Sequence, residues 1–182
     1  MQVRRRLGQV LGQFGVGGFP LRRRVHRHAA VVAEFQREAL LEHDHAADAG
    51  FLQRCLDLAI PYAMQREAFG QKIGSFQMIQ QKIADMVCRT EQARLLVYRL
   101  GRMQDAGVAR ASLESSLAKL CASQAAVHNA LDGMQIFGGY SCTQEYEIGR
   151  LLMEAKALEF GEGTSELHNR LIAEFALGIR QQ

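Results

Sequence analysis

Three short stretches of this sequence set charged and polar residues among glycines, where a packed core requires neither. The first is Arg66-Glu67-Ala68-Phe69-Gly70-Gln71-Lys72-Ile73-Gly74, followed by Phe76-Gln77. It offers a guanidinium and a nearby amide, and its glycines let a ligand approach the backbone closely. An arginine in such a setting suits a phosphate, because its planar fork pairs with anionic oxygens in a fixed geometry. The second is Gln135-Ile136-Phe137-Gly138-Gly139, where two glycines stop a helix and leave room for a flat or extended ligand against the chain. The third is Gly161-Glu162-Gly163-Thr164-Ser165-Glu166. Thr164 or Ser165 can cap a following helix whose exposed amides attract anions, and Glu166 sits in its acidic first turn. Glu162 stands between two glycines, on a sterically open loop from which a carboxylate can reach into a cleft as a general base. Each stretch also has a plainer reading: an interhelix turn with a surface arginine, a helix stop, and a solvated loop glutamate beside a capped helix.

The elements that position these stretches read as helices. Ala46, Ala49, Leu52, Leu56 and Ala59 recur every three or four residues, in a pattern that turns helical from about residue 30 and is closed by Gly70 and Gly74. A long helix is predicted from about Phe76 to Gln104, with Ile79, Ile83, Met86, Ala93, Leu96 and Leu100 on its apolar side. The next runs from about Ser112 to Ile136, a shorter one from about Glu145 to Leu158, and the last from Thr164 or Ser165 to near Gly178. Antiparallel helices joined by short glycine-bearing loops make an all-α, up-and-down helical bundle.

Composition agrees with that class and narrows the setting. The 182 residues are 48% hydrophobic and 23% charged, with two prolines and few β-branched runs. The net charge of +3 is uneven: residues 1–33 hold seven arginines and no acid, so the remainder is net acidic. Residues 1–28 are expected to be a basic leader without fixed structure, with the bundle occupying 29–182. Such a leader resembles a transit peptide in its arginines but lacks serine, the first being Ser75. A nucleic-acid role for it would need a partner fold that the sequence does not show. Cys55, Cys88, Cys121 and Cys142 have no ligand-pair spacing and read as buried thiols of a reducing compartment. Glu42-His43-Asp44-His45 has no third ligand at helical spacing, so no metal site is expected. No membrane span is expected either. The expected location is intracellular and soluble: cytoplasmic in a bacterium, the mitochondrial matrix in a eukaryote.

In order and spacing, the three stretches resemble the C-terminal domain of the acyl-CoA dehydrogenase family. The run from Pro61-Tyr62 through Arg66–Gly74, then Phe76-Gln77 and Ile83-Ala84-Asp85-Met86, is most similar to the isovaleryl-CoA dehydrogenase branch. Ala118-Lys119, Gln135–Gly139, Gly149-Arg150 and Glu162–Glu166 continue the likeness, which covers roughly residues 50–178. It implies FAD as cofactor, an acyl-CoA thioester as substrate, and α,β-dehydrogenation as the reaction. It further implies a homo-oligomer, a tetramer in the family, and an electron-transfer flavoprotein as redox partner. By the same resemblance Arg66 and Gln77 would contact FAD, and Gln135, Ile136, Phe137, Gly138 and Gly139 would line the FAD of a neighbouring subunit. Thr164, Ser165 and Glu166 would meet FAD, Gly163 would face substrate, and Glu162 would be the base that takes the α-proton. The isovaleryl branch places its base earlier, but counting back brings that position to Leu40, between Glu38 and Glu42, so Glu162 is the assignment here.

The sequence departs from the family at several points. Tyr140-Ser141-Cys142 stands where relatives often have Asn-Gly-Tyr, Met153-Glu154-Ala155-Lys156 where Arg-Asp-Ala-Lys is usual, and Gly161 where tyrosine is common. The N-terminal and middle domains that complete the family's site have no counterpart in these residues. Two functions therefore compete: a family dehydrogenase represented by its C-terminal domain, and an inactive helical assembly module or truncated gene product.

Overall fold

The computed structural model describes residues 44–180. The expected leader at 1–28, the helical start near residue 30, and Glu38, Leu40 and Glu42 lie outside that range. Within it the chain forms five α-helices: α1 (Asp44–Gln65), α2 (Gln77–Asp105), α3 (Ser112–Phe137), α4 (Ile148–Leu158) and α5 (Ser165–Ala176). The all-α bundle expected from periodicity is the fold observed, with boundaries close to those predicted. The first prediction needs refining. Helix α1 stops at Gln65, and the residues up to Gly74 form a hairpin of β1 (Glu67–Ala68) and β2 (Gln71–Lys72), then a 3-10 turn at Ile73–Ser75. Likewise a 3-10 turn at Gly138–Cys142 precedes α4, which begins three residues later than the sequence pattern suggests.

Helix α3 is the axis of the bundle and packs against each of the other four. Its buried face is built from small residues, among them Ala118, Ala122, Ala126, Ala130 and Gly133. Small side chains let neighbouring helices approach closely, and Gly133 shows how closely. A Cβ there would lie 2.6 Å from Ile148 Cδ1. Around this axis Leu52, Cys55, Leu56, Ala59 and Ala63 of α1 share one core with Met86 and Ala93 of α2 and Ile148, Leu151 and Ala155 of α4. Their spacing of three and four is the helical period that predicted them.

One polar cluster crosses the core. Asn129 of α3 donates through Nδ2 to the Met86 carbonyl at 3.2 Å and to Thr90 Oγ1 at 3.0 Å, and Thr90 donates to the same carbonyl at 2.8 Å. Nearer the surface, Asp132 accepts from Lys82 at 3.0 Å and from Arg89, tying α2 to α3 again. Burial works against the Asp132 carboxylate, but the two cations outweigh it and hold its carboxyl below the usual range.

The cysteine expectation is corrected. All four thiols are free, but only Cys55 is buried, while Cys88, Cys121 and Cys142 are exposed. Cys88 and Cys121 sit on outward faces of α2 and α3, and Cys142 lies in a surface turn. Burial pushes the Cys55 thiol up to about 12, which keeps it protonated and unreactive.

Candidate functional site

Arg66 follows the last residue of α1, and its backbone is held on both sides. Its N–H donates to the Tyr62 carbonyl at 2.9 Å, and its own carbonyl accepts from Ile73 N–H at 2.9 Å. The hairpin that follows turns at Phe69 (φ 53°) and Gly70 (φ 79°), the two left-handed positions of a tight two-residue turn. Pairing Glu67 with Lys72 and Ala68 with Gln71 brings the chain back beside Arg66. The Arg66 guanidinium lies 5.4 Å from the centre of the Tyr140 ring.

Tyr140 belongs to a cluster of four rings. Tyr62 stacks on Phe137 with centroids 4.0 Å apart, Tyr146 meets Phe137 edge-on at 5.3 Å, and Tyr140 meets Tyr146 at 5.6 Å. This cluster joins the end of α1 to the turn after α3. Burial pushes the Tyr62 phenol up, against the opposing pull of the Arg66 charge. Between the cluster and Arg66 opens a cleft of about 460 Å³, lined by Arg66, Ile136, Phe137, Gly138, Gly139 and Tyr140 among others. Gly138 has φ 60°, a value that favours glycine, and donates its N–H to the Met134 carbonyl to close α3. The adjoining turn has no slack, since a Cβ on Gly149 would lie 2.1 Å from the Ser141 carbonyl oxygen.

The structure thus brings the first two sequence stretches together in one cleft, lined by Arg66 and by Ile136–Gly139. Gln77, at the start of α2, and Gln135, on the last turn of α3, are exposed and outside the lining.

The third stretch lies elsewhere. Glu162 follows the end of α4 with φ 57°, a left-handed conformation uncommon for a residue with a Cβ. Gly163 follows at φ 110°, where an added Cβ would lie 3.0 Å from His168 Nε2. His168 is buried beneath the loop, and its Nε2 donates to the Glu162 carbonyl at 3.3 Å. From the other side comes Lys119, only 3% exposed, which donates to the Glu159 carbonyl at 3.3 Å and so caps the end of α4. Two buried polar side chains therefore hold the backbone on either side of Glu162.

The cap of α5 differs in detail from expectation. Thr164 is the N-cap, but its hydroxyl makes no bond to the helix backbone. The Glu166 carboxyl is held below its ordinary value, chiefly by its own backbone N–H and then by the nearby Thr164 hydroxyl. Ser165 Oγ is buried without a hydrogen-bond partner at this helix start. Lys119 opens the third turn of α3, whereas Phe137 ends that helix. The Glu162 loop and the Arg66 cleft are consequently at opposite ends of α3, separated by roughly 27 Å along an axis that rises 1.5 Å per residue.

Comparison with known proteins now decides the family. Residues 43–177 match the family model described as acyl-CoA dehydrogenase, C-terminal domain. The chain belongs to the acyl-CoA dehydrogenase family. It is 42% identical over 129 residues to an acyl-CoA dehydrogenase of Bacillus subtilis (strain 168), covering 71% of this chain and 34% of that one. It is 43% identical over 128 residues to the mitochondrial isovaleryl-CoA dehydrogenase of Oryza sativa subsp. japonica, covering 70% and 31%. Among solved structures, a glutaryl-coenzyme A dehydrogenase in complex with glutaryl-CoA superposes with a TM-score of 0.77 at 35% identity, over 82% of this chain and 38% of that one. The FAD complex of PigA gives a TM-score of 0.74 at 34% identity, over 82% and 39%. The chain spans about a third of the length of the curated relatives it matches.

Sequence reasoning gave no role in the site to Tyr62, Tyr140, Tyr146, Lys119 or His168. Tyr62 had a signal, since it sits one helical turn before Arg66 and so on the same face. The others depend on contacts between helices. Among the described residues no group of three metal-ligating side chains occurs, and no helix is long and apolar enough to cross a membrane.

Proposed function

We propose that this chain is the helical portion of an FAD-dependent acyl-CoA dehydrogenase and supplies two separate parts of its active centre. One part is the Arg66–Gly139 cleft, which takes the phosphate region of the flavin dinucleotide. The other is the Glu162 loop with the start of α5, which serves the reacting end. The observation that carries the reading is the joining of Arg66 with the bare backbone of Gly138 and Gly139 in the lining of one cleft. The partnerless buried hydroxyl of Ser165, at a helix start that favours anions or acceptors, fits a dinucleotide group at the second place.

In this reading the bound flavin supplies the hydride acceptor for the substrate's β-hydrogen. Glu162 takes the α-proton of the acyl thioester onto its carboxylate. The proton is weakly acidic, so the base must be kept from water by its surroundings, and Glu162 is already partly buried. Its left-handed backbone, fixed by Lys119 and His168, directs the carboxylate without leaving the direction to a freely turning loop. Gln77, Gln135, Thr164 and Glu166 edge the two places and contact the dinucleotide, and Gly163 leaves space for substrate. Because the two places are at opposite ends of α3, a centre using both is completed by further chain, in the manner of a homo-oligomer. An electron-transfer flavoprotein then reoxidises the enzyme.

A second reading, assembly without catalysis, is favoured by one observation. Met64, Leu95, Tyr98, Met153, Phe160 and Leu177 are all exposed apolar side chains, more than a lone small bundle needs.

Titration of the purified chain with FAD, followed by visible absorbance and flavin fluorescence, separates the two. Saturable binding that Arg66→Ala weakens about tenfold or more, and that Glu162→Gln leaves unchanged, is the expected result for the first. A folded chain with no flavin binding would leave the assembly module.

A further inference from the structure

Arg66 differs from most arginines of this bundle in what holds it. Arg54, Arg89, Arg94, Arg99, Arg150 and Arg170 each meet a carboxylate. Among the described residues the Arg66 guanidinium meets no carboxylate and no hydrogen-bond acceptor. It rests on the face of Tyr140. We infer that Tyr140 is a positioning residue that holds the Arg66 fork, with its donors unspent, for the diphosphate of a nucleotide in the cleft. The inference rests on the dinucleotide reading above and adds to it a residue to which the resemblance assigns no role.

Carboxylate and aromatic partners leave an arginine with different capacities. A carboxylate would fix an arginine by occupying two of its five N–H donors and cancelling its charge, so an incoming phosphate would have to displace it. An aromatic face attracts the guanidinium through the ring quadrupole and leaves every donor in the guanidinium plane free. Tyr140 can do this only if its own ring is fixed. It is braced edge-on by Tyr146, which packs against Phe137, itself stacked on Tyr62. Tyr62 lies on α1 one turn before Arg66, so the brace and the arginine share a foundation. In the same cleft, Gly138 and Gly139 present backbone with nothing within 4 Å of where a Cβ would stand, leaving space for an anion. Holding a flexible side chain in its bound geometry before the ligand arrives removes part of the ordering cost of binding.

The test is calorimetric titration of the full chain with ADP and, separately, with inorganic pyrophosphate. It compares wild type with Tyr140→Phe, which keeps the ring, and with Tyr140→Leu and Tyr140→Gln, which remove it. Tyr140 is 45% exposed, so helix content should persist in all three, and either ringless variant suffices if the other fails to fold. Expected are wild-type affinity in Tyr140→Phe and affinity weaker by about two- to fivefold in the ringless variants, the size of an exposed cation–π contact. The Arg66 Nε–H proton resonance gives an independent readout. Its ring-current shift should persist in Tyr140→Phe and vanish in the ringless variants before any ligand is added, which a change confined to packing elsewhere would not produce. Equal or tighter ADP binding by a folded ringless variant overturns the inference and leaves the dinucleotide reading standing. Absence of ADP binding by the wild type overturns both.

Discussion

The Arg66 cleft and the Glu162 loop are both joints between helices, but they are made rigid by different means. The cleft is fixed by apolar mass: four aromatic rings interlock, and the neighbouring turn is packed so tightly that Gly149 has no room for a methyl group. The loop has no such packing. It is fixed by two buried hydrogen-bond donors, Lys119 and His168, that grip backbone carbonyls around a residue in a left-handed conformation. The difference follows from what each must present. A cleft that receives a large ligand needs firm walls and empty space, whereas a single carboxylate needs its backbone aimed. Substitutions should therefore separate the two regions.

The largest effect is expected from Gly149→Ala. Its Cβ would press against the Ser141 carbonyl, and the turn after α3 must move, at a cost of about 3 kcal/mol in urea unfolding. Amide exchange should rise through 138–147 and stay unchanged at 159–164. Equal loosening of both regions would show that they are not independent. Lys119→Met should do the reverse. It removes the cap on the Glu159 carbonyl, costs about 1–2 kcal/mol, and speeds exchange at 160–164 while the cleft is untouched.

Acid offers a control that favours neither region. The Asp132 carboxyl is held below its ordinary value in the folded state, so its contribution is complete above the unfolded value near 4. It falls away as the pH drops through the lower folded value. Asp132→Asn should lower stability at neutral pH by about 1 kcal/mol. It should narrow the stability gap between neutral pH and pH 3, with both regions losing protection together. The smallest effect has the opposite sign: Glu162→Gly should raise stability by up to about 1 kcal/mol, because glycine adopts φ 57° without penalty. A destabilised Glu162→Gly would mean that the side chain contributes more to the loop than its backbone costs.

The fold was legible because helical periodicity and glycine stops are local signals. Leu52, Leu56 and Ala59 mark the face of α1, and Gly138 marks the end of α3. The site was legible only in pieces. Arg66 and Gly138 are far apart in sequence, and nothing in either segment says that one cleft holds both. The distance between that cleft and Glu162 was equally hidden, since it depends on which end of α3 each loop reaches. Lys119 illustrates the harder case: a lysine in a helix reads as surface, and only the approach of the α4 end explains its burial. The cysteines show the same limit from the other side. Cys55 shares the α1 core face with Leu52 and Ala59, but Cys88 lies two positions from buried Met86 and so faces outward.

Helix α3 joins both regions as one unbroken rod, which makes their relative placement a matter of phase as well as length. Each added residue between Lys119 and Phe137 would turn one end by about 100° against the other while lengthening the rod by only about 1.5 Å. A single insertion would therefore swing Glu162 a quarter-circle and more around the axis relative to Arg66, whereas seven residues would nearly restore the angle and displace it by about 10 Å. The helix acts as an indexed shaft, and lineages sharing these two regions have few lengths of it open to them.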